Sequence, residues 1–174
     1  MIKRNLIKRV MAAGAIMAVT LSLAGCGIGG SSVKLGAAGV GGGYYAFSNA
    51  FAQIASSEDE DLDFEVKVTA GSTANIRLLS DGYVDMAIAQ ADLVDAAYNG
   101  TGATDKKRYR GYSAVASLYT EACQIVVRAD SGIDNLDDLQ GKKISVGEEE
   151  SGTQRNAEQI LKMTGLVESL VDTV

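Results

Sequence analysis

FEVKVTAGSTANIRLLSDGYVDMAIAQ, residues 64–90, reads as strand, turn, helix, turn and strand. Phe64 to Ala70 alternates apolar and polar residues, the period of a half-buried strand. Gly71-Ser72-Thr73 opens a helix over Ala74 to Ser80, and Gly82 closes it. Val84 to Gln90 is mostly apolar, as in a strand buried inside a parallel sheet. A strand, a short helix and a second strand form the βαβ unit, which joins parallel neighbours.

The pattern repeats on both sides. Upstream, Val33 to Gly36 predicts a first strand that ends in the glycine-rich turn GAAGVGGG (36–43). Tyr44, Phe47, Phe51, Ile54 and Ala55 recur at helical steps and predict a helix over Tyr44 to Ser56. The acidic run SEDEDLD (57–63) is a solvated connection. Downstream, Ala91 to Tyr98 is a helix stopped at Asn99-Gly100, followed by a basic, solvated loop, ATDKKRYRG (103–111). Tyr112 to Tyr119 and Cys123 to Ala129 alternate as strands, and Leu136 to Leu139 makes a short helical turn. Ile144 to Gly147 is a further strand. Ser151-Gly152-Thr153 opens a helix to about Met163, with Gly165 as its C-terminal cap. Strands alternating with helices place the chain in the α/β class with a parallel sheet.

Composition narrows the chemistry. The 174 residues contain no His, which removes His-based triads and His metal ligands. Two Cys cannot build a four-cysteine zinc site or a disulfide framework. A net charge of −6 argues against a nucleic-acid groove, which needs clustered cations. No Walker loop occurs. The pattern Gly41-x-Gly43-x-x-Ala46 fits a dinucleotide fingerprint loosely, but the following strand ends in Val68-Thr69-Ala70-Gly71, with no acid for a ribose.

The N-terminus reads as an export signal. Lys3, Arg4, Lys8 and Arg9 precede an apolar run over residues 10–24 that is too short to span a bilayer. Leu23-Ala24-Gly25-Cys26 closes it and resembles a bacterial lipobox, in which the cysteine is acylated and becomes the first mature residue. Residues 1–25 are then the signal peptide and 26–32 a flexible tether. Cleavage removes four cations and no acid, so the mature chain is more acidic still. Cys123 lies in the apolar run ACQIVV and is expected to be a small buried hydrophobe.

Three junctions share one character: Gly41-Gly42-Gly43-Tyr44, Gly71-Ser72-Thr73 and Ser151-Gly152-Thr153. Glycine admits a ligand close to the backbone, a helix N-terminus adds open N–H donors and a positive dipole end, and Ser and Thr add hydroxyls. Any one of them is explained by N-capping. Three in one chain, each at the C-terminal end of a strand, point to a shared anion site. Tyr44, Tyr45, Asn75, Gln90 and Tyr119 are further hydrogen-bonding candidates. Glu148-Glu149-Glu150 stands next to the third junction and opposes an anion unless those carboxylates turn away.

From about Val33 to Gly165 the chain resembles the TAXI solute receptors of TRAP transporters. The resemblance rests on GVGGGYYAFSNAFAQ (39–53), GSTANIRLLSDGYVDMAIAQAD (71–92), YNGTG (98–102), SLYTEACQIVVRADSGIDNLDDLQGKKISVG (117–147) and SGTQRNAEQIL (151–161). It implies a type II periplasmic-binding-protein fold of two parallel-sheet lobes, the first nearly whole over 33–122 and the second incomplete over 123–174. It implies a non-enzymatic receptor without cofactor or metal. Such a receptor is lipid-anchored outside the cytoplasm and hands a small carboxylate, glutamate-like or dicarboxylate, to a TRAP-type permease. Its ligand contacts fall on Gly42, Gly43, Tyr44, Ser72, Thr73, Asn75, Gln90, Tyr119, Glu121, Ser151, Gly152 and Thr153. A sensor for a signalling partner fits the same residues. An exported enzyme fits less well, because the sole Ser-x-x-Lys spacing, Ser31 to Lys34, lies at the tether. The same resemblance leaves an open sheet edge at Ile144 to Val146, with residues 33–118 compact and residues 130–174 loosely packed.

Overall fold

The computed structural model describes residues 32–102, 106–166 and 172–173. The signal segment 1–25, Cys26 and the tether up to Ser31 lie outside the described residues, as do residues 103–105. All described elements fall within the unit Ser32–Val174.

Strand β1 (Val33–Gly36) is the centre of a three-stranded parallel sheet. Helix α1 (Gly43–Glu58) leads to β2 (Phe64–Lys67), and α2 (Ser72–Ser80) leads to β3 (Met86–Ala87). The order is β2-β1-β3, with Leu35 in register with Val66 on one side and Met86 on the other. Leu35, Ala37, Ala74, Ile76 and Val84 are buried, and α2 packs against β1 and β3. The Phe51 ring meets Phe64 edge-on at 5.2 Å, which seats α1 against β2. Helix α3 (Ala91–Asn99) ends at Gly100, whose φ of 70° is the left-handed cap conformation.

Both strands of the βαβ unit are shorter than their patterns. The first stops at Lys67 because the chain turns: Gly71 N–H donates to Thr69 Oγ1 at 3.2 Å, and Gly71 takes φ 120°. In the second, paired residues are confined to Met86–Ala87, although Asp85 N–H and Ile88 N–H still bond β1 at Lys34 and Gly36.

The larger departure lies in residues 112–129. The two strands expected there run as irregular chain, with Val115 and Val126 each 85% exposed. Alternation suits a chain to a sheet, but a strand exists only when a neighbour accepts its hydrogen bonds, and among the described residues no strand pairs with this stretch. Cys123 is exposed rather than buried for the same reason.

Beyond it, the turn of helix falls on Leu136–Leu139, as the pattern predicts. It begins in a capping box: Asn135 accepts from the Asp137 N–H at 2.9 Å, and Asp138 accepts from the Asn135 N–H at 3.1 Å. Strand β4 (Lys143–Ile144) pairs in parallel with β5 (Asp172–Thr173), so Ile144 of the edge expected to stand open carries a partner on one side, while Ser145 and Val146 lie beyond the strand. Helix α4 (Gly152–Met163) is followed by Gly165 at φ 76°. Leu139, Leu161 and Leu166 form a buried cluster with Ile133 and Ile144 against it, so this region has a small apolar core where loose packing was expected.

Candidate ligand-binding site

Three helix N-termini meet at Ser72, Gln90 and Gly152. Helix α2 starts directly after Gly71, whose φ of 120° and ψ of −147° suit only glycine. That turn drops Ser72 into the interior, 1% exposed, where its Oγ accepts the Gln90 N–H at 3.2 Å. Gln90 is the residue on which α3 begins. Helix α4 begins on Ser151, whose Oγ accepts the Gln154 N–H at 3.0 Å, and brings Gly152 onto the same spot. A Cβ on Gly152 would run into the Gln90 side chain and come within 2.9 Å of Ser72 Oγ. Glycine admits this approach without displacing either side chain.

Tyr44, in the first turn of α1, joins the group. Its hydroxyl donates to Glu121 Oε2 at 2.8 Å. Burial raises the Tyr44 phenol well above its ordinary pKa; hydrogen bonding to Ser72 opposes the shift and the Glu121 carboxylate adds to it. Tyr119 is raised too, by burial first and then by Glu121. Its hydroxyl lies 4.0 Å from the position of a Cβ on Gly43, beside the glycine turn that holds Gly42. Tyr44, Gln90, Tyr119 and Glu121 line one open cavity of about 1060 Å³, with Phe47, Ile76, Met86 and Ile88 among its apolar walls. Gln90 Oε1 is buried from solvent and has no hydrogen-bond partner among the described residues.

Asn75 has another occupation. It is fully buried, and its Nδ2 donates to the carbonyls of Gly36, Ala37 and Ile88 at 3.3, 2.6 and 2.8 Å. Its Oδ1 accepts from Thr69 Oγ1 at 2.7 Å. The amide ties α2 to the ends of β1 and β3, and its hydrogen bonds go to the protein. Thr153 is exposed, with its methyl end against Gly147.

The residues that the sequence reading missed are Arg77 and Glu150. Glu150 accepts a two-pronged contact from Arg77, at 3.1 Å from Nε and 2.7 Å from Nη2. That contact raises the Arg77 pKa above its already high value. The Glu150 carbonyl accepts from Thr73 N–H at 3.1 Å and Ala74 N–H at 3.2 Å, the first donors of α2. One of the three acids feared beside the anion site is therefore neutralised there, while Glu148 and Glu149 are exposed. A signal was available, since Arg77 is the one cation between Lys67 and Lys106.

The junction gathers Gly71, Ser72, Gln90 and Gly152, with the Ser72 hydroxyl on the Gln90 N–H. Among the described residues, no group of three His, Cys, Asp or Glu side chains is placed to hold a metal ion. Residues 35–174 match the NMT1-like family, a periplasmic-binding-protein-like family of solute binders, and this chain belongs to it.

Proposed function

We propose that the protein is an extracytoplasmic receptor that captures a small, glutamate-like organic anion and delivers it to a TRAP-type secondary transporter, held at the membrane by lipid on Cys26. The observation that carries this reading is the meeting of three helix N-termini at Ser72, Gln90 and Gly152. Helix N-termini attract carboxylates through open N–H groups and the dipole. Each contributes about 0.3–1 kcal/mol, whereas micromolar binding needs about 8 kcal/mol. Direct hydrogen bonds and burial in the cavity supply the rest. The Glu121 carboxylate, an acceptor, belongs to a residue that lines that cavity. It favours a ligand that carries an ammonium beside its carboxylate over a plain dicarboxylate.

Calorimetric titration with L-glutamate and succinate tests the proposal. Glutamate is expected to bind more tightly than succinate. A Ser72→Ala, Thr73→Ala double variant is expected to lose about tenfold or more in affinity, since a hydrogen bond to a charged group contributes about 1.5–3 kcal/mol. Unaltered affinity in the folded double variant refutes the assignment.

A further inference from the structure

We propose that the basic loop at residues 106–110 docks on anionic lipid headgroups and turns the end of the fold at which the chain enters toward the bilayer. The inference takes the nearness of a bilayer from the anchored-receptor reading, and the docking surface from the loop itself. Lys106, Lys107, Arg108 and Arg110 fall within five residues, and no acid occurs between Asp105 and Glu121. All four cations are exposed. Lys107 reaches Asp81 only at 3.8 Å, and Arg110 lies over the Tyr98 ring at 3.4 Å. Among the described residues, Lys106 and Arg108 have no ion-pair partner. The loop is fastened in place. Ser80 Oγ donates to the Arg110 carbonyl at 3.0 Å and accepts the Arg110 N–H at 3.3 Å. The buried Tyr109 donates its N–H to the Ala97 carbonyl at 3.0 Å.

Topology puts these cations at the anchor's end of the fold. Ser80 ends α2, which leads back to the N-terminal end of β3, and Ala97 lies in the last turn of α3. The chain enters at the same end: Val33 opens β1, and the exposed Lys34 donates its N–H to Asp85 Oδ2, just before β3. Cys26 lies seven residues before Val33, so an acylated Cys26 holds this end within about 25 Å of the membrane. Tyr83 and Tyr98, both exposed near this end, suit headgroup level, where a ring has one side apolar and the other wet. The junction of Ser72 and Gln90 stands at the C-terminal ends of the strands, so docking leaves it turned away from the bilayer. A net charge of −6 does not forbid the contact. At physiological salt the field of a charge decays within about 8 Å, so only local charges count. The acidic run at 57–63 leads into β2, and β2 and β3 flank β1 from opposite sides, about 10 Å apart. A tilt toward the β3 side carries that run beyond the screening length.

Co-sedimentation with lipid vesicles decides the matter. The mature chain from residue 26 is used with Cys26→Ser, so that no acyl chain contributes. It is expected to bind vesicles of equimolar phosphatidylglycerol and phosphatidylcholine, and to leave vesicles of phosphatidylcholine alone unbound. Raising the salt from about 0.1 M to about 1 M shortens the screening length from about 10 Å to about 3 Å and should release it. Lys106→Gln with Arg108→Gln should weaken binding about twentyfold, since each cation near an anionic surface contributes about fivefold. Lys142→Gln with Lys143→Gln removes the same charge from another exposed place and should leave binding unchanged. An equal loss in the two pairs, equal binding to both kinds of vesicle, or binding to neither overturns the docking surface. Loop-dependent binding to the anionic vesicles, in a protein whose native N-terminus carries no acyl mass, leaves the surface standing and removes the anchor.

Discussion

Asn75 Nδ2 donates to the Ala37 carbonyl at 2.6 Å, across 38 residues of sequence, and joins the first turn of α2 to the end of β1. The same nitrogen serves Gly36 and Ile88, so one buried amide holds the point where the two βα turns of the sheet come together. The turns proposed to face the ligand sit on this tie.

Replacing Asn75 by Ala is therefore expected to act on the fold before the ligand. It takes the side-chain donor from the Ala37 and Ile88 carbonyls and the acceptor from the Thr69 hydroxyl, while the Gly36 carbonyl keeps the Ile88 N–H, and a buried polar group left unpaired costs about 1–3 kcal/mol. Urea unfolding should show a loss of about 3 kcal/mol or more, and Asn75→Asp, which cannot donate, should be no better. A loss below about 1 kcal/mol would mean that water reaches these carbonyls.

Gly152→Ala tests the convergence of helices. The new methyl meets the end of the Gln90 side chain and Ser72 Oγ, so these side chains must turn aside or α4 must lift away from α2. Overpacking of this kind costs about 1–3 kcal/mol. Thermal unfolding should fall and glutamate affinity should drop with it; unchanged values in both would show that the contact is not held in solution.

Alkaline titration reads out Tyr44. Its pKa is raised in the folded chain, so the neutral phenol is the form that folding favours. The sign follows: this stability is fully present below the unfolded value of about 10 and is lost as pH rises beyond it. Between about pH 10 and 12, the parent should lose stability more steeply than Tyr44→Phe. Parallel curves would place the phenol in water.

The exposed thiol of Cys123 should react with a maleimide in the native protein nearly as fast as in urea. Strong protection would mean that residues 112–129 are covered in solution.

For the proposed anchor, Cys26→Ser should move the protein from the membrane fraction to the soluble fraction. The parent's N-terminal peptide should carry the mass of acyl chains. Membrane association that survives the substitution, with no added mass, would refute lipidation.

Local patterns were enough for much of the fold. The two-residue period of Phe64 to Ala70, the helical spacing from Tyr44 to Ala55, and the glycines at 71, 100 and 165 each act through neighbours in the chain. So does the Asn135–Asp138 box; the helices stand where the sequence predicts them, and the strand from Phe64 begins there but stops at Lys67, short of its pattern. The absence of His and the acidic balance likewise needed no structure. Tertiary contact decided the rest. Alternation in residues 112–129 describes a chain fit for a sheet, but pairing is a property of two segments, and among the described residues no second segment is paired there, which leaves Cys123 exposed. Asn75 has the chemistry of a ligand donor, and only the arrival of three carbonyls around it makes it part of the scaffold. Glu150 looked hostile to an anion in a run of three acids. Arg77, 73 positions earlier, turned that carboxylate into a clamp and its carbonyl into a helix cap, because no local period encodes a contact between residues so far apart in the chain.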